Sequence, residues 1–329
     1  MSLHTRMTRL LDIEHPVVLG GMGGGATVPA MVSAVSKAGG LGVLGVTRYP
    51  PDVVFSQVME VRAFTSRPFG LNLLLFLSDD DSIATVLAQR PAVLSTAWAW
   101  PEQDLAPIFV RAHGAGARTM HMVSGVEEAK RAAEAGADLI VAQGTEGGGH
   151  VGTVATMALV PMVVRAVAPI PVVAAGGLAT GAQLAAALML GADGVLMGTR
   201  FLATDESPWP PSFKRAIVDS DGHDTELSEI PDLAKATAWP GAFDRVRRNH
   251  LISSWAGREH ELRRRRVEVL AAMVRAMRED DADQGELNFG QSAGLVDSIE
   301  PCADVVRRIS AEAEALVLGA ADRFVRPNG

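Results

Sequence analysis

Asp138-Leu139-Ile140-Val141-Ala142-Gln143-Gly144-Thr145-Glu146-Gly147-Gly148-Gly149-His150 is the stretch from which the rest of the chain can be read. Its first half is a short apolar, β-branched run, the pattern of a parallel strand buried on both faces. Its second half is a glycine-dense loop delivered from the strand's C-terminal end and closed by a histidine. Consecutive glycines cost more conformational entropy than other loop residues, so they mark backbone that must come close to something, and a ligand is the expected reason. His150 then stands at the rim with a side chain that exchanges a proton near neutral pH, as a general base must. The competing reading is a mobile surface turn with a solvated histidine.

Two later segments favour the ligand. Pro171-Val172-Val173-Ala174-Ala175-Gly176-Gly177-Leu178 is another strand running into a glycine turn and a helix, and Gly194-Val195-Leu196-Met197-Gly198-Thr199-Arg200-Phe201 repeats the design. Such turns offer backbone N–H groups and helix dipoles to a phosphate. In an eight-stranded α/β barrel the phosphate loops follow strands seven and eight.

The strand count lands on those numbers. Apolar runs at Pro16–Leu19, Gly42–Val46, Phe69–Leu74, Ala92–Thr96, Ala117–Val123 and Leu139–Val141 precede Val172–Ala174 and Val195–Met197, with helical stretches between them. Strict alternation with short connections implies parallel strands and right-handed crossovers, so the expected fold is α/β, a (β/α)8 TIM barrel. A doubly wound sheet would need an acidic residue at the end of the second strand, where Tyr49-Pro50-Pro51 supplies none. After Phe201 the texture changes: Glu206-Ser207-Pro208-Trp209-Pro210-Pro211 breaks regularity, and arginine-rich helical periodicity follows without clear strands. Residues 205–284 are expected to be a helical cap, with residues 1–204 and 285–329 forming the barrel.

Bulk properties bound the function. Net charge is −8, against a nucleic-acid binder, and the run Arg263 to Arg266, either a phosphate or nucleic-acid patch or a solvated helix face, is read as the latter because Glu259, Glu261 and Glu268 lie at pairing distance. A single cysteine, Cys302, suits a reducing compartment. No apolar stretch is long enough to span a bilayer and the first residues lack a signal core, so a cytoplasmic protein without membrane partners is expected. The histidines and the one cysteine show no metal-ligand spacing, and no serine nucleophile elbow occurs. Asn72, polar in an apolar strand, is either a satisfied core amide or a ligand contact.

With these motifs in hand, the chain resembles the nitronate monooxygenase family, formerly 2-nitropropane dioxygenases. The resemblance rests on Ala142-Gln143-Gly144 through Gly148-Gly149-His150-Val151-Gly152, Leu159-Val160-Pro161, Ala174-Ala175-Gly176-Gly177, Met197-Gly198-Thr199-Arg200-Phe201 and the closing Gly290-Gln291-Ser292-Ala293-Gly294. It implies an FMN-dependent barrel with the phosphate on Gly176, Gly177, Gly198 and Thr199. It sets the flavin ring beside Gly21, Met22 and Gly23, with Asn72, Gln143, Gly148 and Met197 as further contacts and His150 as the catalytic histidine. Asn and Gln amides suit the carbonyl and N–H edge of a flavin.

The activity implied is oxidation of alkyl nitronates, such as propionate 3-nitronate, by O2. The same motifs resemble FMN-dependent enoyl-acyl-carrier-protein reductases and NAD(P)H:quinone reductases, so NAD(P)H reduction of a quinone or enoyl thioester is the alternative. A non-redox barrel holding a phosphorylated metabolite is a third, from another class. His121 stands where some relatives carry lysine, and a core role is preferred for it over a flavin contact. Arg200 serves either the phosphate or an ion pair. Trp209, Trp239, Trp255 and Phe289 either line the pocket or join cap to barrel. Physiological substrate and oligomeric state stay open at this stage.

Overall fold

Strand and helix alternate from α1 (Arg6–Leu11) and β1 (Val17–Leu19) through α2 (Pro29–Lys37), β2 (Leu41–Gly45), α3 (Pro51–Phe64), β3 (Phe69–Leu74), α4 (Asp80–Ala88), β4 (Val93–Ala97), α5 (Ala106–Gly114), β5 (Arg118–Val123), α6 (Val126–Glu134) and β6 (Leu139–Gln143). A short β7 (Gly149–Val151) precedes α7 (Thr156–Val167), β8 (Val172–Ala175), α8 (Gly181–Met189), β9 (Gly194–Met197) and α9 (Thr199–Leu202). The chain then runs through α10 (Pro211–Val218), β10 (Thr225–Ser228), α11 (Ile230–Lys235), β11 (Phe243–Arg247), α12 (His250–Trp255) and α13 (Glu259–Glu279) to α14 (Cys302–Phe324). The computed structural model describes residues 3–325; residues 1–2 and 326–329, at the two ends of the expected barrel unit, lie outside the described residues.

β1 to β6, β8 and β9 form a closed parallel barrel in chain order, shut by β1 against β9 with Val17 opposite Val195 and Leu19 opposite Met197. This is the (β/α)8 barrel the alternation predicts. Residues one apart on a strand face opposite sides, so each strand feeds two layers. Val18, Leu41, Val43, Val93, Met120, Leu139, Val141 and Val173 fill the barrel, and Met7 and Leu11 of α1 plug its lower end. Their neighbours Val17, Leu19, Leu71, Leu73, Ile140, Ala142, Ala174 and Met197 pack outward against the helices.

The eighth βα unit is interrupted. α9 leaves β9, the chain departs through α10 to α13, and α14 returns to serve as the last barrel helix. α14 lies so close to α8 that a Cβ on Gly181 would stand 2.5 Å from Ile309 O, and Gly181 N donates to Glu312 Oε2 at 2.9 Å.

The excursion is not purely helical, which corrects one expectation. β10 and β11 pair antiparallel, and β11 pairs with β7, placing Asp244 opposite His150. His150 is therefore on a strand and not in a free loop. These strands are four and five residues long and carry charged residues, and what stabilises them is backbone pairing to a partner distant in sequence, which local periodicity does not register. A second small core, built from Ile230, Val246, Leu251, Leu262, Val269 and Met273, lies inside the excursion. α10 packs differently: Phe213 and Ile217 join Leu202, Leu287, Phe289 and Ala293 at the barrel's return loop. Arg265 on α13 pairs with Glu261 and Glu268 on an exposed face, as its spacing implies. No helix among the described residues is long and apolar enough to cross a membrane.

Gly42 offers a test of the close β2–α2 packing, because a Cβ there would stand 2.2 Å from Val32 O. Gly42→Ala is expected to lower stability by about 1–3 kcal/mol, read as a lower denaturant midpoint with an unchanged slope.

Candidate active site

The upper mouth of the barrel is where the sequence-derived residues meet. Asn72 alternates with the outward-packed Leu71 and Leu73, and Gln143 follows the outward Ala142, so both amides turn inward. Asn72 Oδ1 accepts from Ser95 Oγ at 2.9 Å, whereas Gln143 Oε1 is buried without a hydrogen-bond partner among the described residues. Such an orphan costs free energy unless something else satisfies it.

The predicted contacts form one continuous rim. A Cβ on Gly21 would lie 2.4 Å from Asn72 Cβ, and one on Gly198 would lie 3.2 Å from Met22 Sδ. Thr199 Oγ1 accepts from Gly290 N at 2.9 Å, and a Cβ on Gly290 would stand 2.7 Å from Gly148 N. Gly147 in turn sits against Gln143 and Gly176. Gly23 differs, with nothing nearer its Cβ position than Leu74 at 4.0 Å. Two side chains are committed elsewhere: Met197 packs outward among the helices, and the Thr199 hydroxyl ties down the return loop.

The glycine cluster has a different origin from the one expected. A Cβ on Gly148 would stand 2.5 Å from Phe289 and Gly290 backbone, and one on Gly176 would stand 2.5 Å from Gly144 O. Three backbone segments thus touch each other, and that contact, before any ligand, excludes side chains. Gly176 and Gly177 also have φ of +92° and +72°, and Gly149 +70°, all in the region L-residues avoid. Among the described residues, the amides of Gly176, Gly177, Leu178 and Gly198 donate to no protein acceptor. Converging free N–H groups at two adjacent strand ends can receive an anion.

Glu146, whose role spacing alone did not reveal, anchors the loop. Its carboxylate accepts from Thr156 N at 2.9 Å, at the start of α7, and Thr156 Oγ1 lies 2.8 Å from both Glu146 Oε2 and Gly176 O. Arg245 Nε donates to Thr145 O at 3.0 Å and Gln291 N to Glu146 O at 3.0 Å.

His150 is set by groups the sequence could not connect to it. Its Nε2 lies 3.0 and 2.9 Å from the two oxygens of Asp232, on α11. The Trp239 ring stacks on the imidazole at 3.3 Å between centroids and 10° between planes, and touches Phe76 at 4.6 Å. Burial pulls the His150 pKa below its ordinary 6.5, against the Asp232 hydrogen bond, which pulls it up. Asp244 is fully buried, and burial, with Glu286 adding to it, pushes its carboxyl well above the usual range. His150, Asp232 and Asp244 each bring one ligand atom to within 4.8 Å of the others.

The remaining sequence candidates are structural. His121 faces the helix layer, its Nδ1 2.8 Å from Thr96 Oγ1, and burial lowers its pKa to about 3, leaving it a neutral core histidine. Arg200 is buried, donating to Ala203 O and Ser298 O with Glu300 at 3.7 Å, so it holds the return segment. Trp209 and Phe289 join the return-loop core, and Trp255 packs with the excursion's own core. Of the four aromatics singled out, Trp239 reaches the histidine.

A family model described as nitronate monooxygenase matches residues 4–84 and 76–312. The chain belongs to the nitronate monooxygenase family. It is 34% identical to the (3aS,4S,5R,7aS)-5-hydroxy-7a-methyl-1-oxo-octahydro-1H-indene-4-carboxyl-CoA dehydrogenase of Mycobacterium tuberculosis, over 95% of this chain and 97% of that one. Among solved structures, FabK from Thermotoga maritima shares 35% identity with a TM-score of 0.87, covering 98% of this chain and 100% of its own. A nitroalkane oxidase from Streptomyces ansochromogenes shares 28% identity with a TM-score of 0.83, covering 95% and 99%. As a nitronate monooxygenase family member the chain is a flavin-dependent oxidoreductase.

If backbone contact is what the glycines serve, Gly148→Ala and Gly290→Ala must part the two loops. Both are expected to lower the unfolding midpoint, by about 1–3 kcal/mol, and to raise protease sensitivity between residues 144 and 152. Wild-type stability and protection in both would refute the contact.

Proposed function

We propose that the protein is an FMN-dependent oxidoreductase that oxidises alkyl nitronates with O2, giving a carbonyl compound and an oxidised nitrogen product. The observation that carries this reading is the buried imidazole of His150, bonded to Asp232 and low in pKa, at the end of the loop that packs against the turn at Gly176. The residues fit the cofactor: the unpartnered Gln143 Oε1 meets the demand of a flavin N–H edge, and the free amides after β8 and β9 meet that of a phosphate. Gly176, Gly177 and Gly198 would hold the phosphate through backbone, with Gly21, Met22, Gly23, Asn72, Gln143 and Gly148 around the ring. Bound FMN supplies the two-electron and oxygen chemistry.

This chain's own residues handle the proton and the solvent. Neutral His150 takes the α-proton of a nitroalkane, the C–H electron pair passing into the nitro group; protonated, it donates a hydrogen bond to nitronate oxygens. Residues 205–284 roof the mouth, and Trp239 with Phe76 keeps water from the imidazole.

A second reading, reduction or dehydrogenation of a carboxyl-CoA or related thioester, is supported by the dehydrogenase relative, which matches over nearly the whole chain at higher identity than the nitroalkane oxidase. It uses the same proton-handling histidine, because a thioester also acidifies its neighbouring C–H.

His150→Asn is expected to retain flavin and lower kcat for neutral nitroalkanes by at least about a hundredfold. Because the base form is the neutral ring and its pKa lies below 6.5, the acid limb of wild-type kcat/KM should fall below pH 6.5. Anaerobic mixing decides the electron donor: bleaching of the flavin band by propionate 3-nitronate supports the first reading. Bleaching by NADH, NADPH or an acyl-CoA with none by nitronate overturns it.

A further inference from the structure

β7 and β11 pair with His150 directly opposite Asp244, so the two side chains emerge on one face of the small sheet. α11 lays Asp232 and Lys235 against that face, and the return segment adds Glu286 and Asn288. β10 contributes Ser228 opposite Asp244. These are the polar and charged groups around the imidazole, and their pairing is unequal. Glu286 Oε1 is held by Lys235 Nζ at 2.5 Å and Asn288 Nδ2 at 2.9 Å. Both Asp232 oxygens face His150 Nε2. Both Asp244 oxygens are buried and neither makes a hydrogen bond of good geometry among the described residues, the Asn288 amide being the donor that acts on this carboxyl.

We propose that Asp232 is the positioning residue of His150, holding the ring as its Nε2–H tautomer so that Nδ1 carries the reactive lone pair, with Asp244 kept beside it as an uncharged carboxylic acid. The argument is one of donors and acceptors. An ionised carboxylate only accepts, so the nitrogen it faces must carry the hydrogen, and the other nitrogen is then the base. No protein group among the described residues hydrogen-bonds Nδ1. In the proton step the substrate C–H breaks, Nδ1–H forms, and the imidazolium is stabilised by Asp232 through Nε2.

Asp244 cannot share that role as a second carboxylate. The available cation, Lys235, is committed to Glu286, and an ionised Asp244 would be an uncompensated buried charge within 4.8 Å of Asp232. As an acid within 4.8 Å of Asp232 it leaves the field at His150 that of a single carboxylate. Two carboxylates would hold the imidazole protonated and take away its function as a base. Burial pushing the Asp244 carboxyl upward agrees with this arrangement.

The inference rests on His150 being the proton-handling group, and the test separates the two claims. Flavin-loaded protein labelled with 15N-histidine is titrated by NMR, the His150 resonances being those lost in His150→Asn. Wild type should show protonated Nε2 and bare Nδ1. Asp232→Asn, which removes the charge and offers an N–H donor, should lower the His150 midpoint, shift the tautomer toward Nδ1–H and lower kcat, the acid limb of the rate profile moving the same way. Asp232→Glu should restore the tautomer. Asp244→Asn should leave the His150 midpoint within about half a unit of wild type.

A wild-type Nδ1–H tautomer, or one indifferent to Asp232→Asn, overturns the proposal. So does an Asp244→Asn midpoint lowered as far as in Asp232→Asn, which makes Asp244 ionised. A stoichiometric divalent metal in the purified protein, whose removal by chelator abolishes turnover, also overturns it by making the three side chains ligands. The proposed tautomer together with undiminished His150→Asn turnover upholds the positioning and defeats the base role.

Discussion

Three loops at the barrel mouth meet backbone to backbone, and the candidate site depends on that contact. The loop after β6 lies against the turn after β8 through Gly144 and Gly176, and against the return segment through Gly148, Phe289 and Gly290. Side chains are excluded from both seams, so the loops approach closely enough for Thr156 Oγ1 to bond Gly176 O across one and Gln291 N to bond Glu146 O across the other. The entropy that glycine costs in the unfolded chain is offset by these contacts. Beside these seams the amides of Gly176, Gly177, Leu178 and Gly198 keep their N–H groups without a protein acceptor among the described residues.

The excursion after β9 does more than cover the mouth. Its strand β11 pairs with β7, two residues beyond the glycine seam, and so binds the histidine's backbone while α11 supplies the acid that binds its side chain. One element thus sets both the position and the electrostatics of His150. Burial favours the neutral ring and Asp232 favours the charged one, with burial the larger of the two. Trp239 adds an aromatic face to the imidazole and comes from the same excursion.

Much of the framework is legible from residue order. Alternating β-branched runs and helical stretches announce eight parallel strands, because burial on both faces leaves no polar alternation to confuse them with anything else. The inward placement of Asn72 and Gln143 follows from strand parity. The family motifs then assign the nitronate monooxygenase likeness, which the whole-chain matches uphold. What sequence reading missed has a common cause. β10 and β11 are short and charged, and they exist because β7 offers them an edge. Glu146 looked like one loop residue among many, since its partner Thr156 gains meaning as a helix start and its neighbour Gly176 as a close-packed turn.

The sequence by itself determined the barrel and the strand ends that carry the glycine turns, since these follow from local periodicity and contiguous motifs, and it placed His150 at the close of one such turn. Only the tertiary structure decided which groups surround that histidine. Asp232 and Asp244 stand 82 and 94 positions from His150, and no spacing rule joins residues so far apart. Folding the excursion back onto β7 does so, because an unpaired strand edge and a buried imidazole each need a partner that the barrel alone does not contain.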